Sequence, residues 1–213
     1  MKKYLLICLT MITLLSLLAC KKDKTEPELT DFEKLVNIVY ASEEILAGYY
    51  EEDTIYDGEF LTYQKTIDLK LERKDTVKTE VELVEKTLSA SGINDFDTKK
   101  STYTTDGDKK YEVVNGKTYE SSYVVPTYFL TFVLSDSFLE EGYQLTVDKN
   151  NYTLNGKVQD TMVASLFLNK NISNVKDVKI NLTVTDGKLA TFKVEYISTK
   201  TGFVTTITTS YRY

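Results

Sequence analysis

The chain has 213 residues, with 26 Lys and Arg against 32 Asp and Glu, two Cys, and neither His nor Trp. Without histidine, Ser-His-Asp and Cys-His catalysis, histidine-dependent zinc sites and histidine pH sensing are excluded. The charges are interspersed and net acidic, which is a solvated surface and lacks the basic footprint that a nucleic-acid partner requires.

Lys2 and Lys3 open the chain, and Leu5–Leu18 is then apolar apart from Thr10, Thr13 and Ser16. Such a run is shorter than the roughly 20 residues of a spanning helix and has the length of a signal-peptide core. It ends in Leu17-Leu18-Ala19-Cys20 and turns polar at Lys21. This resembles the lipobox of bacterial lipoproteins. The resemblance implies cleavage before Cys20 and a diacylglyceryl thioether on it, so that residues 1–19 are a signal peptide. Cys8 would leave with that peptide, and the folded part would hold no thiol and no disulfide. Removing Lys2 and Lys3 leaves 24 basic against 32 acidic residues, a formal charge of about −8. Residues 20–29 read as a tether beside the anchor, with Lys21, Lys22 and Lys24 facing headgroups. The expected location is the bacterial cell membrane, lipid-anchored, facing outside the cytoplasm.

Residues 30–213 read as one domain. Thr30-Asp31-Phe32-Glu33 is a capping box. Phe32, Leu35, Val36, Val39, Ile45 and Leu46 continue at helical spacing, which predicts a helix over about 31–47 with Gly48 as its stop. Leu61, Tyr63, Ile67, Leu69 and Leu71 then alternate with polar residues, as do Val77, Thr79, Val81 and Leu83. Period two with one polar face is the pattern of a half-solvated antiparallel sheet. Asp106-Gly107 and Asn115-Gly116 are hairpin turns separating Ser101–Thr105, Lys110–Val114 and Lys117–Ser121.

Pro126 opens a predicted second helix with Phe129, Phe132 and Val133 on its apolar stripe and Gly142 at its end. A hairpin follows, Tyr143-Leu145-Val147 with Tyr152-Leu154, and then a short helix over about Asp160–Asn169 presenting Met162, Val163, Leu166 and Phe167. The C-terminal stretch is a meander: Val178, Ile180, Leu182 and Val184; the Asp186-Gly187 turn; Phe192, Val194 and Tyr196; the Lys200–Gly202 turn; and Phe203, Thr205, Ile207, Thr209 and Tyr211. The fold class is therefore α+β and mainly β, a large curved antiparallel sheet with two or three covering helices.

This element order resembles the half-barrel lipoprotein-carrier superfamily of the LolA-type carriers and the LppX–LprG-type lipoproteins. Val113-Val114-Asn115-Gly116-Lys117 carries the resemblance locally, together with Val178–Val184, Asp186-Gly187-Lys188-Leu189 and Phe192–Tyr196. It implies a half-barrel whose helices cross the concave sheet face and leave an apolar cavity for acyl chains. It supplies no catalytic residues. In such a half-barrel Leu69, Leu71, Val81 and Leu83 would meet Ile180, Leu182, Phe192, Val194 and Ile207 beneath Phe129, Phe132, Met162, Leu166 and Phe167. The same stripes suit a plain packed core, and both readings stay open.

No carboxylate pair, calcium loop or phosphate loop stands in the sequence: Asp106-Gly107-Asp108 and the glycines at 107, 116 and 187 are explained by turn chemistry. The expectation is a non-enzymatic envelope lipoprotein without metal or cofactor, which binds a lipid or other apolar ligand. The alternative is a solid-core protein whose Tyr- and Thr-rich strand faces contact an envelope protein or a glycan.

Overall fold

The computed structural model describes residues 28–41, 47–73, 77–90, 95–106, 109–114, 116–120, 132–166 and 172–213. Contacts divide the chain into Met1–Thr30 and Asp31–Tyr213, and every element below belongs to the second unit. Cys20, Phe129 and Phe167 lie outside the described residues, as do Ile45, Leu46, Pro126 and the turn residues Gly107 and Asn115.

Helix α1 is Asp31–Tyr40, with Asp31 and Glu33 in its first turn, where the helix dipole favours acidic groups. Leu35 and Val39, one turn apart, are its buried residues. The helix is shorter than its periodicity predicts. Gly48 is not its stop but lies inside a strand, β1, Ala47–Tyr56.

Ten further strands follow: β2 Phe60–Arg73, β3 Val77–Leu88, β4 Phe96–Asp106, β5 Lys109–Val114, β6 Lys117–Glu120, β7 Gln144–Asp148, β8 Asn151–Lys157, β9 Val175–Thr185, β10 Lys188–Ser198 and β11 Val204–Arg212. They form one antiparallel sheet in the order β6-β5-β4-β3-β2-β1-β11-β10-β9-β8-β7. The sheet is open, with β6 and β7 as its edges. It consists of two meanders joined where β1 pairs with β11.

Among the described residues α1 is the one full helix. Phe132–Ser135, predicted helical, has no regular structure; there the Val133 N–H donates to the Leu166 carbonyl at 3.0 Å. Asp136–Phe138 and Asp160–Met162 are single 3₁₀ turns, the second running into a helical turn at Val163–Leu166. No described helix is long and apolar enough to cross a membrane.

Pairing register fixes one row of side chains across nine strands. It runs Ser101–Leu83–Ile67–Tyr50–Thr209–Phe192–Leu182–Leu154–Leu145, each opposite the next. All but Leu145 are buried. Leu35 and Val39 of α1, with Phe132, Leu134, Leu139, Val163, Leu166 and Ile172, complete the core on this face.

Candidate functional site

The face that the sequence assigns to a ligand is the buried face of the sheet. Leu69, Val81, Leu83, Ile180, Leu182, Phe192, Val194 and Ile207 all belong to its core. Phe132 lies flat on Phe192, with ring centroids 3.8 Å apart and planes 6° apart. Leu166 is fully buried and Met162 packs against the same core half-buried. Leu71 lies in β2, but its side chain is outside the described set. Sequence reasoning missed Tyr50 and Leu154, both of the nine-strand row and both buried at 0% exposure on the Tyr50 and Leu154 side chains.

The next row of the same face changes character along its length. On β4, β3, β2 and β1 it reads Lys99–Glu85–Lys65–Glu52; on β11, β10 and β9 it continues as Ile207–Val194–Ile180. The charges alternate across neighbouring strands, which lie about 4.8 Å apart. Lys65 Nζ stands 3.5 Å from a Glu85 oxygen. The Tyr63 and Tyr50 hydroxyls donate to Glu85 and Glu52, at 3.3 and 2.7 Å. Thr54 and Thr205 hydroxyls meet at 3.1 Å. A cavity of about 300 Å³ adjoins this polar end, lined among others by Thr54, Ile172, Tyr196 and Thr205. Burial pushes the Tyr196 hydroxyl up to about 12, reinforced by the Glu52 charge and opposed by a hydrogen bond with Thr205. The Tyr211 hydroxyl is raised further, again chiefly by burial.

A second cavity, about 510 Å³, opens on the other face of the sheet at the β7 edge. Leu139 bridges to Val158, and the Glu140 N–H donates to the Lys157 carbonyl at 2.8 Å. Pairing resumes only at Gln144 opposite Asn155. Glu141, Gly142 and Tyr143 thus stand opposite Gly156 alone, a bulge that notches the edge. Gly156 is required there: a Cβ would sit 3.1 Å from the Tyr143 Cβ and 3.4 Å from Leu139. Tyr143 is held against Phe32 of α1, centroids 5.6 Å apart. Asn155, Asn181, Lys193 and Glu195 line the groove that leads from the notch across β8, β9 and β10.

No protein-family model and no curated protein matches the chain. Among solved structures the chain is similar to LprF from Mycobacterium bovis, at 9% identity and a TM-score of 0.43, covering 84% of this chain and 90% of that one. It is also similar to a DUF1329 family protein from Desulfovibrio piger, at 12% identity and a TM-score of 0.23, covering 85% of this chain and 91% of that one. At these identities no residue carries across from either. Among the described residues no group of His, Cys, Asp and Glu could hold a metal ion.

Proposed function

We propose that this chain is a bacterial envelope lipoprotein, cleaved before Cys20 and anchored by lipid on that cysteine, that works by binding rather than by turnover. Its ligand is an apolar or amphipathic molecule taken up between the sheet and the segments that cover it. One observation carries the reading: the buried, mostly apolar row spans nine strands, while α1 and the Asp160–Met162 turn pack on β10 and β9. Ile67, Leu69, Val81 and Leu83 extend the apolar face well beyond those contacts. They are at most 5% exposed, so a ligand has to take the place of whatever chain covers them. It gains roughly 25 cal/mol for each Å² of apolar surface removed from water.

Full burial also favours the second reading, a solid core with the solvent-facing sheet surface as the working surface. Leu182, fully buried mid-row, separates the two. In a carrier Leu182→Trp fills the ligand space, so lipid recovered with the protein falls while its melting temperature holds. In a solid core the same change overpacks and destabilises by about 1–3 kcal/mol. Mass spectrometry of the protein extracted from its own membrane, finding no lipid beyond the anchor, sinks the carrier. The anchor is tested apart: Cys20→Ala should leave an uncleaved precursor, and mature-sized protein still partitioning into detergent would refute it.

A further inference from the structure

The notch and groove at the β7 edge have a chemistry unlike the buried face, and we propose that they bind a short, uncharged oligosaccharide. The site is independent of whether lipid enters the core.

The charges around it balance. Glu140, Glu141 and Glu195 face Lys157, Lys179 and Lys193 among the lining residues. A balanced groove draws neither a polyanion nor a polycation. At about 510 Å³ it falls within the range of small-molecule sites, about 300–1,000 Å³.

Its floor is set for hydroxyl pairs. Asn181 Nδ2 donates to Asn155 Oδ1 at 2.6 Å, which fixes both amides. The pair then presents the Asn181 carbonyl as acceptor and the Asn155 amide as donor, side by side. Adjacent sugar hydroxyls each offer a donor and an acceptor and match that arrangement. Gln144 adds a third amide from the next strand, in register with Asn155. Lys179 and Glu195 hold each other at 3.1 Å, whereas Lys193, Glu140 and Glu141 form no ion pair among the described residues and stay available to a ligand.

The shape is right for a chain-like ligand. Edge strands ordinarily close such a face, but the bulge at Glu141–Tyr143 lowers the rim between Glu140 and Gln144. A linear saccharide can lie along the row Gln144–Asn155–Asn181–Lys193 and run out through the notch.

The test is calorimetric titration of the full chain with chitotriose, with maltotriose and with trialanine. Saturable binding of a trisaccharide at or below about millimolar concentration is expected, with none of trialanine. Asn181→Ala and Lys193→Ala should each weaken it about tenfold, the loss of one hydrogen bond to an uncharged or charged partner. Thr206→Ala, on the same face but outside the groove, should leave it unchanged. Lys193 is exposed, so its variant keeps the test open if Asn181→Ala lowers the melting temperature. No saturable saccharide binding overturns the proposal. So does binding indifferent to both variants, or equal binding of trialanine, which would make the groove a peptide site.

Discussion

Two aromatic residues show how single side chains govern this molecule. Phe132 reaches the core from a segment without regular structure, and its stacking on Phe192 ties that segment to β10. Phe192→Ala should cost about 3–5 kcal/mol, and so should Phe132→Ala. The double variant should reveal a coupling of about 0.5–1.5 kcal/mol beyond area alone, measured as a cycle by urea denaturation. Tyr196 sets an alkaline limit. Its pKa is raised from 10.0 to about 12 in the folded chain. Below pH 10 the hydroxyl is neutral in both states and its contribution is whole. As pH rises from 10 through 12, the unfolded state ionises first and stability is lost, by up to about 2–3 kcal/mol. Melting curves of Tyr196→Phe should decline less over that range; an unchanged decline would remove Tyr196 from the account. Glu51 has a slope of the same sign in the acid range, its contribution being lost as pH rises. Burial and the neighbouring Asp53 raise its carboxyl, against Lys86, so its proton binds more tightly when folded. Glu51→Gln should stabilise slightly at pH 7, with solvent screening keeping the gain small, and the gain should vanish as pH falls below the folded value.

Among the elements, the β9–β10 hairpin is the best specified. Asp186 and Gly187 have φ of 51° and 73°, as a tight two-residue hairpin turn requires. The turn is also tied to its neighbour hairpin, since the Gly187 N–H donates to the Asn150 carbonyl and the Asp186 N–H to Asn151 Oδ1, both at 2.8 Å. Gly187→Val should cost about 1–3 kcal/mol, read from thermal melting. Nothing lies within 4 Å of a Cβ there, so the whole cost is conformational. This hairpin was legible because Val178–Val184 and Phe192–Tyr196 alternate cleanly. Leu189 was not, because the register shifts between Leu189 and Thr191 and puts it on the buried face out of phase. Strand β1 was hidden for another reason. Its buried-face residues are Gly48, Tyr50, Glu52 and Thr54, of which only Tyr50 brings a large apolar side chain, so no period-two signal appears. The Asp57-Gly58 turn after it, with φ of 53° and 71°, was a signal available and overlooked. The groove was out of reach: three residues opposite one is a matter of register, and Gly142, read as a helix stop, serves a bulge instead.

At the scale of the whole sheet, every pairing among the described strands joins neighbours in sequence except at one seam. There β1 meets β11, and Thr54 touches Thr205 across 151 residues of separation. Ile207, fully buried on the seam, is opposite Glu52. Ile207→Ala and Leu154→Ala should each destabilise by about 2–5 kcal/mol. They should differ in stopped-flow refolding, where the seam variant slows the rate-limiting phase and the hairpin variant chiefly speeds unfolding. Equal effects on refolding would deny the seam its special place. Closing a 151-residue loop costs about 3 kcal/mol more entropy than closing a hairpin of about four. Each meander can zip locally long before the two join. Until they do, the chain is two half-sheets, and the inner edges of β1 and β11 are as naked as the outer ones. The waiting time at that seam is therefore when this chain is most exposed to pairing with a second copy of itself, and a concentration-dependent loss of refolding yield would be its signature.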